Sequence, residues 1–588
     1  MKATSADDPI SLEVIKNAFI STADEMAAVL SRTAYSLNVR ERMDFSCCLL
    51  DQEGNAVSQS ARIPLHLNSI GPFVKNILKY FPQNEIEPGD VFVANDPYFG
   101  GQHLPDVLIC NAIFCENRLS GFSANLAHHV DIGGSTAGSL SNSATEIFQE
   151  GLRIPPAKLY EGGRENRGVT DLIRTNVRTP ELFLGDIRAQ LASVRLGERR
   201  LQELFAKYGR EVVLRSMDHL ITYSERRMRQ SLEEIPDGEY IGEDRLDPDV
   251  ISGKTAIVQV AVKVKGSDIY LDFSASSPQQ RATVNSSLSA TCSAAFYAIR
   301  TLADPDIMQN EGCYRMIHIT APEGTIVNPH PPAACNARTI VCHRIVDAIY
   351  GALMEVVPQK VVAPSYGCPP NQVLSGIDPR TGHYFLFFDG NHASWGARYD
   401  KDGNDGLTSN VSNGGNTPIE ACEIRYPVRF QAYEFVTDSG GPGKFRGGLA
   451  INRQIKVLAE RAYLTMLADR EVFPPVGYMG GRPAKGAKAV LYPHMGKEKV
   501  VSIKSTNISL GKGASWSFMA AGGGGFGDPL ERNPERVKWD VLEGKVSLEA
   551  AREEYGVVID PQNYQVNEAA TAALRVTLRR KCTVTGRQ

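Results

Sequence analysis

Three of the eleven histidines of the chain fall within one stretch, Val91 to Gly134, interleaved with carboxylates. His103 precedes Asp106 by three residues, and the adjacent pair His128-His129 is followed by Asp131. Imidazole nitrogens and carboxylate oxygens gathered between short apolar runs form the donor set that Zn, Mn or Fe(II) takes. An ion held by three or four such ligands, with one position open, polarises a carbonyl or acidifies a bound water. The favoured ligand quartet is Asp44, His103, Asp106 and His128. His129 and Asp131 are then the candidate catalytic pair, orienting the ligands or serving as base. Adjacent side chains of an extended strand point to opposite faces, so one of His128 and His129 faces the ion; spacing alone does not choose between them. The competing account is that these residues simply cap strand ends. It suits a lone histidine better than two histidine groups about 25 residues apart with flanking aspartates.

The elements that must position these groups are short. Residues Ser11 to Tyr35 carry helical periodicity, with Leu12, Ile15, Ala18 and Phe19 on one face and Ser11 as an adequate N-cap. FSCCLL reads as a buried strand, Asp51 to Gly54 as a turn and Ala56 to Gln59 as the partner strand, with Asp44 at the entrance of the first. Gly71 to Tyr80 reads as a helix, and Val91 to Ala94 as a strand stopped at Asn95-Asp96-Pro97, where proline removes a backbone donor. Gly100-Gly101 gives a flexible approach to His103. Val107 to Phe114 and Gly121 to Ala127 read as two strands of a buried sheet, the second delivering His128 and His129 at its end.

Downstream, Asp171 to Arg229 is a long helical pattern with sign-mixed charges, the mark of a solvated helix face. Ile235 to Phe273 alternates as strands, with a hairpin around Lys265-Gly266-Ser267. Ala282 to Ala303 reads as a small-residue helix, Gly324 to Arg344 is rich in Pro, Asn and Cys, and a further helix runs to about Glu355. Tyr384 to Asp400 reads as a strand and its exit loop, Gly403 to Pro427 is Gly/Asn-rich, the latter half through Ser517 reads as all-β, and Asn533 to Tyr555 is helical; the last thirty-odd residues carry no assignable pattern. A chain of 588 residues exceeds what one hydrophobic core supports. The expected fold is α+β and multidomain, with mixed sheets, flanking helices and a β-rich C-terminal half. Its regions are residues 1–230 with the metal site, 231–400, 401–530, and a helical segment and tail at 531–588.

With 42% hydrophobic and 22% charged residues and a formal net charge of −4, the composition makes no electrostatic case for nucleic acid or an anionic membrane. MKATSADDPI has neither a basic nor an apolar signal region, and no apolar run reaches membrane-spanning length. Eleven scattered cysteines without a CxxC pair point to a reducing compartment, and cytoplasm is the expected location. His392 and Arg398, in DGNHASWGAR with Asp389, Asn391 and Trp395, are candidates for substrate binding; a buried histidine bonded to Asn or Asp is the competing account. His343, beside Arg344 and Asp347, is open to the same two readings. The loop SGGPGKFRGG places Phe445 where a P-loop needs Ser or Thr, so it and Gly522 to Gly527 read as turns and close backbone approach rather than as a nucleotide site.

Taken in order, several segments resemble the hydantoinase B/oxoprolinase family across nearly the whole chain. They are DPISLEVIKNAFISTADEMAAVLSRTAYS, RERMDFSCCLLD, VFVANDPYFGGQHLPDV, ANLAHHVDIGG, SNGGNTPIEACEIRYPV, SGGPGKFRGGLA and GGGGFGDPLER. The resemblance implies a B-type subunit whose metal, zinc or manganese, is held by Asp44, His103, Asp106 and His128. It also implies a separate A-type subunit that binds Mg-ATP and phosphorylates the substrate carbonyl oxygen, in a hetero-oligomer such as α2β2. The implied activity is ATP-dependent opening of a cyclic amide: a hydantoin, N-methylhydantoin, lactam or 5-oxoproline. A ketone carboxylase subunit acting on acetone or acetophenone is the alternative within the same resemblance. A non-catalytic scaffold with a structural metal is the alternative outside it.

Overall fold

The computed structural model describes residues 8–390 and 392–585, with side chains to residue 580. Residues 1–7, which open the stretch read as free of a secretory signal, lie outside it, as does Asn391.

The apolar runs of the first part form one antiparallel sheet. Its strands are β1 (Phe45–Leu50), β2 (Ala56–Gln59), β3 (Val91–Ala94), β4 (Asp106–Cys115), β5 (Arg118–His128), β6 (Ala157–Glu161) and β7 (Arg164–Glu165), in the order β2-β1-β5-β4-β3-β6-β7. Around it run α1 (Pro9–Thr33), α2 (Leu37–Arg40), α3 (Pro64–Tyr80), α4 (Arg167–Asn176), α5 (Pro180–Tyr208) and α6 (Arg210–Leu232). Helices cover both faces. Cys47, Leu49, Val107 and Ile109 pack into the core that contains α1 and α5, while Cys48, Leu50, Leu108 and Cys110 pack with α3. That is why β1 reads as unbroken hydrophobicity instead of alternation: all six of its residues are buried. Cys47 and Cys48 are packing residues, and burial pushes the Cys47 thiol up to about 12.

Several boundaries differ from the sequence expectation. Helix α1 starts at Pro9 with Asp8 as N-cap, whose carboxylate accepts the Ser11 amide at 3.0 Å; Ser11 lies inside the first turn. Helix α3 starts at Pro64, not Gly71, because proline is tolerated in the first turn and the buried Leu67, Ile70, Phe73 and Val74 carry the helix across Pro72. The long helical pattern after residue 166 is divided at Pro180 and at Gly209, which sits at φ 82°.

The second sheet has order β11-β10-β9-β8, from β8 (Gly238–Arg245), β9 (Ile257–Lys265), β10 (Asp268–Asp272) and β11 (Ile317–Thr320). Gly266 turns the β9–β10 hairpin. Val258, Val260, Val262 and Val264 share a core with α7 (Leu288–Arg300) and α8 (Arg338–Leu353). Helix α7 begins at Leu288 rather than Ala282, because Ser287 caps it and also donates to the Gly101 and Gln102 carbonyls, both at 3.1 Å. This anchors the loop that carries His103.

The remaining strands are β12 (Asn371–Ile377), β13 (Tyr384–Gly390), β14 (Val428–Phe435), β15 (Ile451–Val457), β16 (Arg461–Leu467), β17 (Lys488–Tyr492), β18 (Lys499–Val501), β19 (Ser505–Gly511) and β20 (Ser515–Met519). They form two sheets, β13-β12-β16-β19 and β14-β15-β20-β17-β18, with Leu374, Phe387, Leu464, Ile455 and Phe518 in one shared core. Trp516 is fully buried there, its indole N–H donating to the Gln372 carbonyl oxygen. Helices α9 (Ile419–Arg425), α10 (Pro534–Leu542), α11 (Leu548–Glu553) and α12 (Glu568–Thr585) complete an α+β chain whose C-terminal half is β-rich. The last of these lies in the tail that carried no assignable pattern. Among the described residues no helix is long and apolar enough to cross a membrane.

The glycine-rich runs are places of close backbone approach. Gly523 N donates to Gly448 O at 2.9 Å and Gly441 N to Gly523 O at 2.8 Å, and a Cβ at Gly447 would lie 1.8 Å from Gly523 O. Gly447→Ala should therefore lower stability by about 1–3 kcal/mol in urea unfolding, the cost of forced overpacking. Gly168→Ala, where the nearest atom is a side-chain oxygen at 3.4 Å, should stay within about 0.5 kcal/mol of the parent.

Candidate metal centre

Sheet register builds the site. Asp106 on β4 pairs directly with His128 on β5, and Phe45 on β1 pairs with Ala127, so Asp44 falls opposite His128 across the next strand gap. The His128 amide donates to the Asp44 carbonyl at 3.0 Å. Directly opposed residues share a face of the sheet. Val107, Ala127 and Phe45 pack on the α1/α5 side, so Asp106, His128 and Asp44 project to the other side, where α3 begins. The loop ahead of β4 adds His103.

Among the described residues, His103, Asp106 and His128 form a group whose ligand atoms all lie within 4.8 Å of one another. His103 Nε2 is 2.9 Å and His128 Nδ1 3.0 Å from Asp106 Oδ1, and the two nitrogens are 3.1 Å apart. Asp106 Oδ2 is held from the other side by Arg338 and, at 3.4 Å, by His66 Nε2 of α3. His103 Nδ1 lies 2.8 Å from the Asn336 side-chain oxygen and 3.1 Å from its carbonyl, two acceptors that assign the proton to Nδ1. The Nε2 lone pair is left facing Asp106 and His128. Burial, reinforced by Arg338, pushes His103 down to about 4, so its imidazole is neutral near pH 7. Burial would raise Asp106, but its surroundings, the Arg338 guanidinium and His66 among them, outweigh it and hold the carboxylate well below its usual range. The neutral His103 imidazole and the ionised Asp106 carboxylate, each braced by an outer partner, together with the His128 imidazole fit a divalent ion.

A cavity of about 60 Å³ opens at this cluster. Asp44, His103, His128 and His392 line it, together with Arg42, Arg338 and Asn336. The other expected site residues lie elsewhere. His129 projects to the opposite face of the sheet, fully buried, with Nε2 3.0 Å from Gln190 Oε1 of α5 and its ring 4.1 Å from that of Phe183. Strand alternation thus separates it from its neighbour. Asp131 is not free to act as base: it accepts from the amides of Gly133 (3.0 Å), Gly138 (3.1 Å) and Arg178 (2.9 Å), and from the Arg178 guanidinium (2.9 Å). It fixes the loop that carries Gly138 to the cavity wall. Arg398 lines a separate cavity, and His343 lies inside α8, fully buried. Arg338, Asn336, His66 and Arg42 were not singled out from the sequence. The signal for the first two was the NAR run at the α8 start, inside a segment read only as rich in Pro, Asn and Cys.

The model of the hydantoinase B/oxoprolinase family matches residues 8–529. The provisionally named B-type subunit of a D-/L-hydantoinase from Pseudomonas sp. strain NS671 is 36% identical over 94% of this chain and 95% of its own. The beta chain of the caprolactamase of Pseudomonas jessenii is 32% identical over 97% of this chain and 99% of its own. The crystal structure of ATP-dependent caprolactamase from that organism matches with a TM-score of 0.91, at 31% identity and 97% and 99% coverage. An acetone carboxylase structure shares the fold at a TM-score of 0.91 with 20% identity, over 98% of this chain and 84% of that one.

The register argument makes adjacent histidines separable. His128→Ala should lose bound Zn or Mn in elemental analysis of protein purified without chelator. His129→Ala should keep the metal and instead lose about 1–3 kcal/mol of stability by leaving Gln190 unpaired. Asn336→Ala should weaken the metal about 10- to 100-fold by releasing the His103 ring.

Proposed function

We propose a hydrolytic function for this chain from one premise: it belongs to the hydantoinase B/oxoprolinase family. It is the metal-dependent B-type subunit of an ATP-dependent cyclic amidase, opening a hydantoin, lactam or 5-oxoproline ring after an A-type partner has phosphorylated the ring carbonyl with Mg-ATP. The observation that carries this reading is the convergence of His103, Asp106 and His128 on one cavity, with Asp44 in its wall.

Amide resonance makes the ring carbonyl a poor electrophile, and O-phosphorylation turns its oxygen into a leaving group. A divalent ion held by His103, Asp106 and His128 beside Asp44 would supply Lewis-acid polarisation and an acidified water near neutral pH. The chain's own residues do the rest. Ile63, Leu65 and His66 from the start of α3, and Ala337 to Thr339 from the start of α8, line the cavity, and helix N-termini favour the negative charge of a phosphorylated oxygen. Arg42, buried in the same wall, has no carboxylate within ion-pair distance among the described residues; its guanidinium sits 5.3 Å from the Phe388 ring centre. That leaves its charge available to the same anion. Phe388 also packs against the His128 ring, centroids 5.5 Å apart, and restricts its orientation.

His392 is the group suited to contact the ring amide. Its Nδ1 is 3.2 Å from the Tyr366 hydroxyl, and its Nε2 has no hydrogen-bond partner among the described residues. Burial and the Arg42 charge hold its pKa well down, so it serves as a neutral hydrogen-bonding group.

The test is an assay of the purified pair of subunits with ATP on hydantoin, caprolactam, 5-oxoproline and acetone, each with and without bicarbonate. Ring opening with release of ADP and phosphate, independent of bicarbonate, is expected. His103→Ala should lower turnover about 100-fold or more while the partner still binds nucleotide. A bicarbonate-dependent carboxylated ketone would replace hydrolysis with carboxylation, and full activity of His103→Ala would remove the metal from the mechanism.

A further inference from the structure

Arg398 lines a second cavity that backs onto the first. Ile63 and Leu65 face the metal cavity while Pro64, between them, faces this one, and His392 faces the metal cavity while Trp395 and Arg398 face this one. Its volume, about 420 Å³, is within the range of small-molecule sites.

Its charge is one-sided. Arg300, Lys360 and Arg398 line it, and no Asp or Glu is among the described residues that do. Two of the cations are committed elsewhere. Arg300 donates to the backbone carbonyls of Asp304 (2.9 Å), Ile307 (2.8 Å) and Pro305 (3.3 Å), and Lys360 Nζ pairs with Glu234 at 2.6 Å. Arg398 is different. Among the described residues no carboxylate lies within ion-pair distance of it, and its guanidinium carbon stands 5.8 Å from the Trp395 ring centre. Trp395 is itself fixed, its indole N–H donating to the Thr408 carbonyl at 2.6 Å. The Tyr350 hydroxyl is engaged with Thr301 Oγ1 at 2.6 Å, while Tyr297 contributes a further aromatic wall. A planar guanidinium held on an aromatic face with its donors unspent is preorganised for a forked pair of hydrogen bonds to an anion.

We propose that this cavity binds a small organic anion, a carboxylate or phosphoryl group on an apolar body. The anionic end pairs with Arg398, and the apolar body packs against Trp395, Tyr297 and Val362. The site is separate from the metal centre and does not depend on the hydrolytic reading.

Isothermal titration calorimetry of the full-length chain with benzoate, phenyl phosphate and inorganic phosphate tests it. One-to-one binding of benzoate, phenyl phosphate or both is expected, weakened at least tenfold in Arg398→Gln and less in Arg398→Lys, which keeps the charge and loses the fork. Binding of benzoate alone identifies the anion as a carboxylate, and of phenyl phosphate alone as a phosphoryl group. Inorganic phosphate should bind more weakly than phenyl phosphate, for want of an apolar body. Failure of both organic anions to bind the parent, or equal affinity of parent and Arg398→Gln with both folded by circular dichroism, would overturn the proposal. Metal content should be the same in all three proteins, so loss of anion binding with metal retained separates this site from the hydrolytic one.

Discussion

The carboxylate of Asp106 is the group around which the first half of the molecule is arranged. It is fully buried, and a buried charge is tolerated only when it is paired and hydrogen-bonded. Its partners come from four elements: His103 from the loop before β4, His128 from β5, His66 from α3 and Arg338 from α8. Removing any one leaves charge or polarity stranded in the interior, so the burial that makes Asp106 costly also locks these elements together. The same arrangement divides its oxygens, Oδ1 toward the two imidazoles and Oδ2 toward Arg338 and His66.

The groups that hold Asp106 are themselves held. Arg338 Nε donates to Gln102 Oε1 at 3.2 Å, and Gln102 donates in turn to the Leu65 carbonyl and, at 2.8 Å, to Ser69 Oγ. Asn336, which orients His103, donates to the Ser139 carbonyl, and its amide reaches Glu150 Oε1 at 2.9 Å. Asp131 pins the loop leading to Ser139 through Arg178. The candidate ligands on strand ends are therefore set by loops with little freedom of their own, as the geometry of a metal site would require. A carboxylate that reads as a candidate base from its position three residues after His128 is in fact part of that scaffold.

How much of this was legible depended on whether the signal was local. His103, Asp106, His128 and Asp44 stood out because metal-ligating types cluster at the ends of short apolar runs, and strands β1 to β5 follow those runs closely. His66, Arg338 and Asn336 reach the same point from residues far along the chain. Each looks ordinary alone: a histidine near a helix start, an arginine in a helix, an asparagine in a Pro-rich segment. Their meaning is tertiary. Arg398 shows the converse, since three residues carry the chain from His392 through the wall to Trp395, and His392 and Arg398 line different cavities although they sit in one short motif. Helix α3 was cut short at Gly71 for a further reason: Pro72 suggests a boundary by local rules, and only the buried face on both sides of it shows the helix to be continuous.

The choice between His128 and His129 rests on register, and hydrophobicity alone sets that register weakly. In a sheet with one wet face, a one-residue slip exposes the apolar set and is strongly disfavoured. Here both faces are covered, so a slipped β5 would still bury apolar side chains on each side. Polar groups supply the missing specification. Gln190 of α5 donates to Asn125 Oδ1 at 3.0 Å and to the Val107 carbonyl at 2.9 Å, Asn125 donates to the Gln190 carbonyl at 2.9 Å, and His129 closes the set at 3.0 Å. A slip would strand these groups in the core on one face and remove His128 from Asp106 on the other. The network on the α5 side thus places His128 beside Asp106 on the α3 side, which gives His129 a role in setting the register.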